Sequence, residues 1–405
     1  MNHTRVAGLL AGLVCAFNLA GAVADDSLSG ALTNGKTSLD ARYRIEYVKQ
    51  DGFSRDALAS TLRTRLDYQT GQFHGFEAML GFQDLHVLGN TLYNSTDNGK
   101  TEYPVVADPQ DTEPDQAYLA YAPDSTLRLA GGRQAILLDN QRFVGNVGFR
   151  QLQQTFDGLT ANWSPDTDVS LFYAYLTRAH RVFGDHNTAP GRQALDLNTQ
   201  LLNAKWIAPI GTFTAYAYLI GNDTASATSH KDLGIRYAGS TGDAQNGMKF
   251  FYSLECAHQN SYRDGAASIN ANYFDLEGGI AHQDMKAWIG QERLGGNGNY
   301  AFQTPLATLH AFDGWADRFL VTPVNGLRDT YLGVAHTNLA GGQLSAIYHD
   351  FRADHGGGKY GHELDLRYAH ALDKLLTASV ELADYSADSF AADTRIAWLT
   401  LQLKF

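Results

Sequence analysis

Apolar and polar residues alternate with a period of two along most of the chain. In residues 39–47 one face is apolar, and the other carries Asp40, Arg42, Arg44 and Glu46. Residues 57–68 repeat the pattern, with Thr61, Arg63, Arg65 and Asp67 on the polar face. Strict alternation predicts β-strands that separate an apolar from a polar environment. The pattern continues through residues 397–405 and ends in Phe405, a feature typical of bacterial outer-membrane barrels.

Turn signals divide these strands in two ways. Short Pro or Gly turns occur at 122–124, 164–166, 208–211 and 340–342, and longer polar stretches lie near 85–113, 179–193, 259–266 and 295–327. Outer-membrane barrels combine short periplasmic turns with long external loops. The sequence therefore predicts an all-β, transmembrane antiparallel β-barrel of about 18 strands, with 16 as the alternative. Barrels of this size enclose an aqueous channel, so passive transport is the expected function.

The N-terminus has the features of a secretory signal peptide. Arg5 precedes an apolar stretch that ends at the cleavage signal Ala22-Val23-Ala24. We therefore expect residues 1–24 to be removed and residues 25–405 to form one barrel domain in the outer membrane. No stretch after Ala24 approaches the 18 apolar residues that a transmembrane helix needs. Cys256 is the one cysteine left, so no internal disulfide is expected.

The charge of the mature chain is strongly negative. The whole chain has 31 Lys+Arg and 43 Asp+Glu, and loss of Arg5 takes the net charge from -12 to −13. This balance argues against nucleic acid as a partner. Several acids, such as Asp108, Asp111, Glu113 and Asp115, fall in a predicted loop, where solvated side chains are expected.

One region departs from simple alternation and is rich in arginine. It contains Gly131-Gly132-Arg133-Gln134, then Asn140-Gln141-Arg142-Phe143-Val144-Gly145, then Phe149-Arg150-Gln151, and finally Thr155-Phe156-Asp157-Gly158. Paired glycines permit a bulge, which re-aims side chains at a barrel wall. Such a bulge predicts that Arg128 and Arg133 both face the lumen despite their odd spacing.

These motifs, in this order, resemble the alginate export family of outer-membrane porins over residues 131–158. The resemblance implies an 18-stranded barrel with an arginine-lined, anion-selective pore for polyuronates. It also implies pore-lining roles for Arg133, Arg142 and Arg150. The neighbouring polar residues are included in the predicted site, namely Gln134, Asn140, Gln151 and Asp157.

Arginine suits such a pore because its rigid guanidinium binds carboxylates with two parallel hydrogen bonds. Four wall arginines on the first two strands extend the predicted track, namely Arg42, Arg44, Arg63 and Arg65. Alternatively, these arginines form a structural network with lumen carboxylates such as Asp40, Glu46, Asp67 and Asp157. The expected solute is a uronate-type oligo- or polysaccharide or a small organic anion. The expected partners are outer-membrane lipid and, for an exporter, periplasmic secretion proteins.

Other functions are less well supported by the sequence. A barrel enzyme of the lipase or protease type needs an activated nucleophile, and no spacing singles out a triad around Ser253 or His258. Gly361-His362-Glu363-Leu364 lacks the second histidine of a zinc motif, so neither a metal site nor a cofactor is expected. A less selective small-solute porin remains the other alternative.

Overall fold

The computed structural model describes residues 27–405, and the predicted signal peptide at 1–24 lies outside this range. A short helix, α1 (Leu28–Thr33), precedes eighteen β-strands in the described residues. The strands are β1 (Lys36–Gln50), β2 (Ala57–Gln69), β3 (Phe76–Val87), β4 (Asp111–Tyr121), β5 (Leu127–Gln134), β6 (Thr155–Trp163), β7 (Val169–His180), β8 (Ala194–Ala208), β9 (Gly211–Ile220), β10 (His230–Gly242), β11 (Lys249–Ser261), β12 (Asn270–His282), β13 (Met285–Leu294), β14 (Leu327–Leu339), β15 (Gly342–Arg352), β16 (Lys359–Ala371), β17 (Leu376–Ala387) and β18 (Thr394–Lys404).

The strands form one closed antiparallel sheet. Each strand pairs with its neighbours in the chain, and β1 pairs with both β2 and β18, which closes the barrel. Phe405 and Leu39 exchange two backbone hydrogen bonds of 2.8 Å at this seam. Closure leaves no strand edge unpaired, as a bilayer requires of a spanning sheet. The prediction of 18 strands is confirmed, and the alternative of 16 is wrong.

The two faces of the sheet differ as the alternation predicts. Large apolar side chains such as Leu66, Leu159, Ile289 and Leu332 are exposed on the outer face. The inner face carries polar and charged side chains, many of them buried beneath loops that enter the lumen. Within the described residues, no helix has the length and apolar character needed to cross a membrane.

Connections at the two ends of the barrel differ in length. One end has short turns, among them 122–126, 164–168, 209–210 and 340–341, and the other has the long loops 88–110, 135–154, 181–193 and 295–326. The predicted short turns are confirmed. The four predicted long stretches each overlap a loop, although β3, β4, β7 and β11 extend into their ends, and the long loop 135–154 was not among them. The long loops mark the external end, by the general architecture of such barrels.

Loop 135–154 and loop 295–326 fold into the lumen and pack against each other. Gly145 donates a backbone hydrogen bond to Leu306 at 2.9 Å. The ring of Phe143 lies 5.1 Å from that of Tyr216 on β9, 5.3 Å from that of Tyr273 on β12 and 5.8 Å from that of Phe302 in the second loop. A small apolar core therefore lies inside the barrel and anchors both loops at one wall.

The acids predicted to be solvated in a loop have a different environment. Asp111, Glu113 and Asp115 belong to β4, and their side chains are buried on its lumen side. Asp108 is fully buried and accepts a hydrogen bond of 3.0 Å from the backbone of Gln151. The expectation of solvated side chains is wrong because two loops that are distant in sequence cover this part of the wall. Loop 135–154 contacts Asp108 and Asp115, and loop 181–193 contacts Asp111 and Glu113.

Candidate functional site

The wall arginines of β1 and β2 face the lumen, where they meet loop 135–154. Arg42 and Arg63 lie directly opposite each other in the register of these two strands. The Arg42 guanidinium donates to the Gln151 side chain at 2.8 Å, to the carbonyl of Gly148 at 2.9 Å and to the carbonyl of Arg150. Arg42 therefore fixes the end of the loop to the wall by satisfying carbonyl groups that would otherwise be buried unpaired.

Arg44 makes a second attachment to the same loop. Its Nη1 donates to the carbonyl of Phe149 at 2.7 Å, and its guanidinium carbon lies 4.3 Å from the centre of the Phe149 ring. Its Nε donates to Thr400 on β18 at 3.3 Å. Arg42 and Arg44 are 5% and 4% exposed, so both act on the lumen through their charge more than through contact.

The remaining wall arginines are paired with carboxylates. Arg63 lies 2.5 Å from Asp40 on β1, and Arg65 lies 2.9 Å from Asp115 on β4. Asp115 also accepts two hydrogen bonds from the side chain of Gln153 in loop 135–154. The structural network considered for the wall arginines therefore exists for these two, with Asp40 and Asp115 as the acids.

Arg150 connects the wall to both inner loops. Its Nη1 lies 3.2 Å from Glu46 on β1, and its Nη2 lies 3.0 Å from Asp317 in loop 295–326. His310 also contacts Asp317 through Nδ1 at 3.0 Å. Burial alone would raise the pKa of Asp317, but the charges of His310 and Arg150 outweigh it and lower that pKa to about 2. Asp317 is therefore an anion that locks loop 295–326 in place.

Arg142 forms a second ionic lock on the opposite side of the lumen. It pairs with Glu292 on β13 and, at 2.8 Å, with Asp313 in loop 295–326. Burial opposes the charged form, but the two carboxylates hold the pKa of Arg142 above its usual range. The side chain is 1% exposed, so the predicted pore-lining role in direct contact with solute is wrong for Arg142. Its guanidinium is enclosed between two loops.

The predicted polar residues of this region act mainly as supports. Gln151 is fully buried and donates to Thr61 on β2 at 2.8 Å while accepting from Arg42. The Asn140 side chain accepts from the backbone of Arg142 at 3.2 Å and shapes the turn before it. Gln134 is buried on the lumen side of β5 and accepts from Thr160 at 3.0 Å. Direct exposure to the lumen is wrong for Gln134 and Gln151.

Arg133 and Asp157 lie on the outer face of the barrel. The registers of β5 with β4 and with β6 run without a bulge, so Arg128 and Arg133 face opposite sides. Arg133 shares its face with the exposed Leu129 and pairs with Asp157 at 3.1 Å. The predicted lumen position is therefore wrong for Arg133 and Asp157. Gly132 adopts a positive φ of 129°, but no residue is inserted there.

A wall of carboxylates, which the sequence analysis did not identify, extends round the lumen from β10, opposite β1, as far as β16. β10 lies halfway round the eighteen-stranded barrel from β1. The buried lumen-facing acids of β10 to β16 are Asp232, Glu255, Asp275, Glu292, Asp329, Glu363 and Asp365. In the sequence, these acids occupy the polar positions of alternating strands, and that pattern would have revealed the wall. Among residues 27–405, no three side chains converge in an arrangement that would hold a metal ion.

These contacts define a constriction at the level of the inner loops. Cations on β1 and β2 lie on one part of the lumen wall and acids on β10 to β16 line most of the remainder, while Arg142 and Arg150 fasten the inner loops. Fixed charges of opposite sign on facing walls orient a polar solute and set ion selectivity. Such an arrangement is suited to guiding polar solutes through the lumen.

Comparisons with known proteins agree with this architecture. Among solved structures, Acinetobacter baumannii OccAB2 has a TM-score of 0.72 at 14% sequence identity, covering 93% of this chain and 99% of its own. Pseudomonas aeruginosa OccK8 (OprE) has a TM-score of 0.70 at 14% identity, with coverage of 93% and 99%. Pseudomonas aeruginosa OpdK, solved with vanillate, has a TM-score of 0.67 at 12% identity, with coverage of 93% and 100%. At these identities the likeness establishes the fold.

The family is established by sequence. No curated protein matches the chain significantly. The family model described as alginate export matches residues 36–304, which includes the wall arginines and loop 135–154. The chain belongs to the alginate export family, and it is an outer-membrane channel of the porin type, not an enzyme.

Proposed function

We propose that this protein is a diffusion channel for small anionic solutes, with uronate monomers and short oligouronates as its substrate class. The positive contribution to selectivity comes from Arg42 and Arg44 at the constriction. A solute carboxylate passing the inner loops is attracted by this wall, while the opposite wall of acids keeps binding weak. Weak binding is needed because a tightly held solute blocks flow.

The observation that carries the proposal is the pairing state of Arg42 and Arg44. Within the described residues, no carboxylate lies within the salt-bridge distance of 4.0 Å of either guanidinium. Their hydrogen bonds go to carbonyl, amide and hydroxyl oxygens, which satisfy the donors and leave the positive charge in place. The buried acids Asp108 and Glu46 interact with these arginines only from beyond that distance. Two cations without a direct ion pair near the inner loops favour a local positive potential despite the negative total charge.

The inner loops favour a small solute over a polymer. Loop 135–154 spans the lumen from the apolar core at Phe143 to the wall at Arg42, and loop 295–326 lies against it. A polysaccharide would require both loops to leave the lumen, which means breaking the ionic locks at Arg142 and Arg150. The similar OpdK barrel was solved with vanillate, a small carboxylate, which is consistent with this substrate class.

The test is the reversal potential of the purified protein in a planar bilayer under a salt gradient. The variant Arg44→Gln removes one lumen charge, and Arg44→Lys keeps the charge while changing the hydrogen bonds. The matched control is Arg395→Gln, which removes an arginine that is 70% exposed and paired with Asp384 outside the lumen. Low ionic strength is used because salt screens these charges.

We expect wild-type protein to prefer anions and to be partly blocked by added oligouronate. One charge about 6 Å from a passing ion is worth about 0.7 kcal/mol in a water-like dielectric, so Arg44→Gln lowers the anion-to-cation ratio roughly three- to tenfold. Arg44→Lys and Arg395→Gln keep the wild-type ratio. A cation-selective wild type, or equal ratios in wild type and Arg44→Gln, contradicts the proposal and favours a less selective porin.

We also propose that residues 1–24 are a cleaved signal peptide and that residues 25–405 are a single barrel domain. The cleavage signal Ala22-Val23-Ala24 supports this assignment. N-terminal sequencing of protein extracted from the outer membrane is expected to begin at Asp25. A sequence that begins at Met1 contradicts cleavage.

A further inference from the structure

Four basic residues lie side by side on the outer face of β13 to β16. Arg293 pairs in register with Arg328, Arg328 pairs with Arg352, and Arg352 pairs with Lys359. We call these four residues the outer basic row. Strands lie about 4.8 Å apart, so the row spans roughly 14 Å around the barrel. Arg293, Arg352 and Lys359 are 55%, 51% and 43% exposed.

The row lies just beyond the lipid-facing surface. A second register row lies four residues away on β13 to β15 and five residues away on β16, where the register shifts. Its members are Ile289, Leu332, Tyr348 and Leu364, whose side chains are all exposed on the outer face. Four residues correspond to about 13 Å along a strand and to somewhat less along the bilayer normal because strands tilt. This distance takes the outer basic row from the hydrocarbon region to the level of lipid headgroups at the external end.

Within the described residues, three members of the outer basic row have a carboxylate partner and the fourth has none. Arg293 lies 3.1 Å from Asp354, Arg352 lies 2.7 Å from Asp350, and Lys359 lies 2.9 Å from Asp388. Arg328 lies between two other arginines and has no ion pair or side-chain hydrogen bond with any residue that the structure describes. Like charges directly opposite each other destabilise a sheet unless an anion compensates them.

We propose that the outer basic row binds the phosphate groups of lipids in the outer leaflet, with Arg328 as the central ligand. Guanidinium groups donate two parallel hydrogen bonds to phosphate, which suits a row of arginines. A lipid fits better than a free ion because its acyl chains lie along the exposed row of Ile289 and Leu332 while its phosphates reach the arginines. This inference concerns the outer face and is independent of the solute that the lumen carries.

The test measures lipid binding to the folded, detergent-solubilised protein by native mass spectrometry. The probes are bisphosphorylated lipid A, the same lipid without phosphates, and inorganic phosphate as a competitor. The variants are Arg328→Gln and the triple variant Arg293→Gln/Arg328→Gln/Arg352→Gln. The matched control is Arg178→Gln, an outward-facing arginine whose cross-strand neighbours are Asp157 and Asp196. Heat-modifiable migration on gels verifies that each barrel is folded.

We expect the triple variant to bind bisphosphorylated lipid A roughly a hundredfold more weakly than wild type, because each base near a headgroup contributes separately. Arg328→Gln gives an intermediate loss, and Arg178→Gln binds as wild type does. Lipid without phosphates binds wild type as weakly as phosphorylated lipid binds the triple variant. Equal binding by wild type and triple variant overturns the proposal. So does an equal loss in Arg178→Gln, or full displacement of the lipid by millimolar inorganic phosphate.

Discussion

The ionic lock at Arg142 offers a direct test of how the inner loops are held. The substitution Arg142→Met removes the guanidinium that pairs with Glu292 on β13 and with Asp313 in loop 295–326. Methionine retains the apolar part of the side chain and its packing against Phe312, whose ring centre lies 4.9 Å from the guanidinium carbon. The change therefore leaves two carboxylates buried without a cation, while the apolar core at Phe143 stays intact.

The expected cost follows from this burial. Arg142 and Glu292 have side chains that are 1% and 4% exposed, so solvent does not screen them. Removing one partner of a buried ion pair costs about 3–5 kcal/mol, because the remaining charge is buried without compensation. Each 1.4 kcal/mol is about tenfold in an equilibrium, so the docking equilibrium of the loops shifts toward the undocked state by roughly a hundredfold or more.

Single-channel recording measures this shift, because undocked loops leave a wider lumen. We expect Arg142→Met to increase mean conductance and to add slow transitions between conductance levels. The matched control is the triple variant Arg142→Met/Glu292→Gln/Asp313→Asn, which removes the cation and both acids together. Neutralising all three groups is much less costly than leaving charges unpaired, so this variant is expected to return toward wild-type conductance.

Two outcomes refute the reasoning about the lock. Wild-type conductance in Arg142→Met means that the apolar core and the ion pairs of Arg150 hold the loops without Arg142. An equally raised conductance in the triple variant means that shape and hydrogen bonding at Arg142 matter, and that unpaired charge does not. Both measurements require that the barrels are folded, which heat-modifiable migration reports independently of the loops.

The pH dependence of the ion pair between Arg150 and Asp317 and the backbone of β5 provide further predictions. The pKa of Asp317 is about 2, below its ordinary value of 3.8, so its stabilising charge is fully present above about pH 4 and is lost as the pH falls toward 2. As the pH falls from about 4 toward 2, the conductance of wild type is expected to rise. The conductance of Asp317→Asn is expected to be raised at every pH and to stay constant. A wild-type conductance that does not change with pH contradicts the role of the Asp317 charge in holding the loop. Gly132→Ala is expected to lower the yield of folded barrel, because a Cβ there collides with the carbonyl of Ala117 at a positive φ of 129°. The control Gly131→Ala meets only the side chain of Leu159 and is expected to fold, and equal yields for both variants refute the backbone argument.

The sequence predicts the barrel wall well because contact with lipid constrains the residues of each strand independently of the other strands. Every spanning strand must present apolar side chains to lipid, so alternation alone assigns Arg42 and Arg44 to the lumen side. The same rule applied strictly assigns Arg128 and Arg133 to opposite faces. We instead predicted a bulge at Gly131 and Gly132 that would place both arginines in the lumen. The continuous registers of β5 show that strict alternation gives the correct faces.

The interior of the lumen was less predictable because its contacts join residues far apart in sequence. Arg142 meets Asp313 across 171 residues, and Arg150 meets Asp317 across 167. The motif that carries the family resemblance identified loop 135–154 as special, but it could not reveal that the loop folds inward. An arginine serves equally well to contact a solute in the pore and to attach a loop to the wall. The residue type alone therefore does not distinguish these two roles.

The locations of the charges explain how an acidic protein can carry an anion-attracting constriction. Buried acids such as Glu292 and Asp313 are matched by Arg142, so they contribute little field at the passage. The cations of the outer basic row face lipid and are remote from the lumen. Arg42 and Arg44 instead keep their charge while donating to neutral oxygens. The local potential at the constriction therefore depends on these two residues more than on the net charge of the chain.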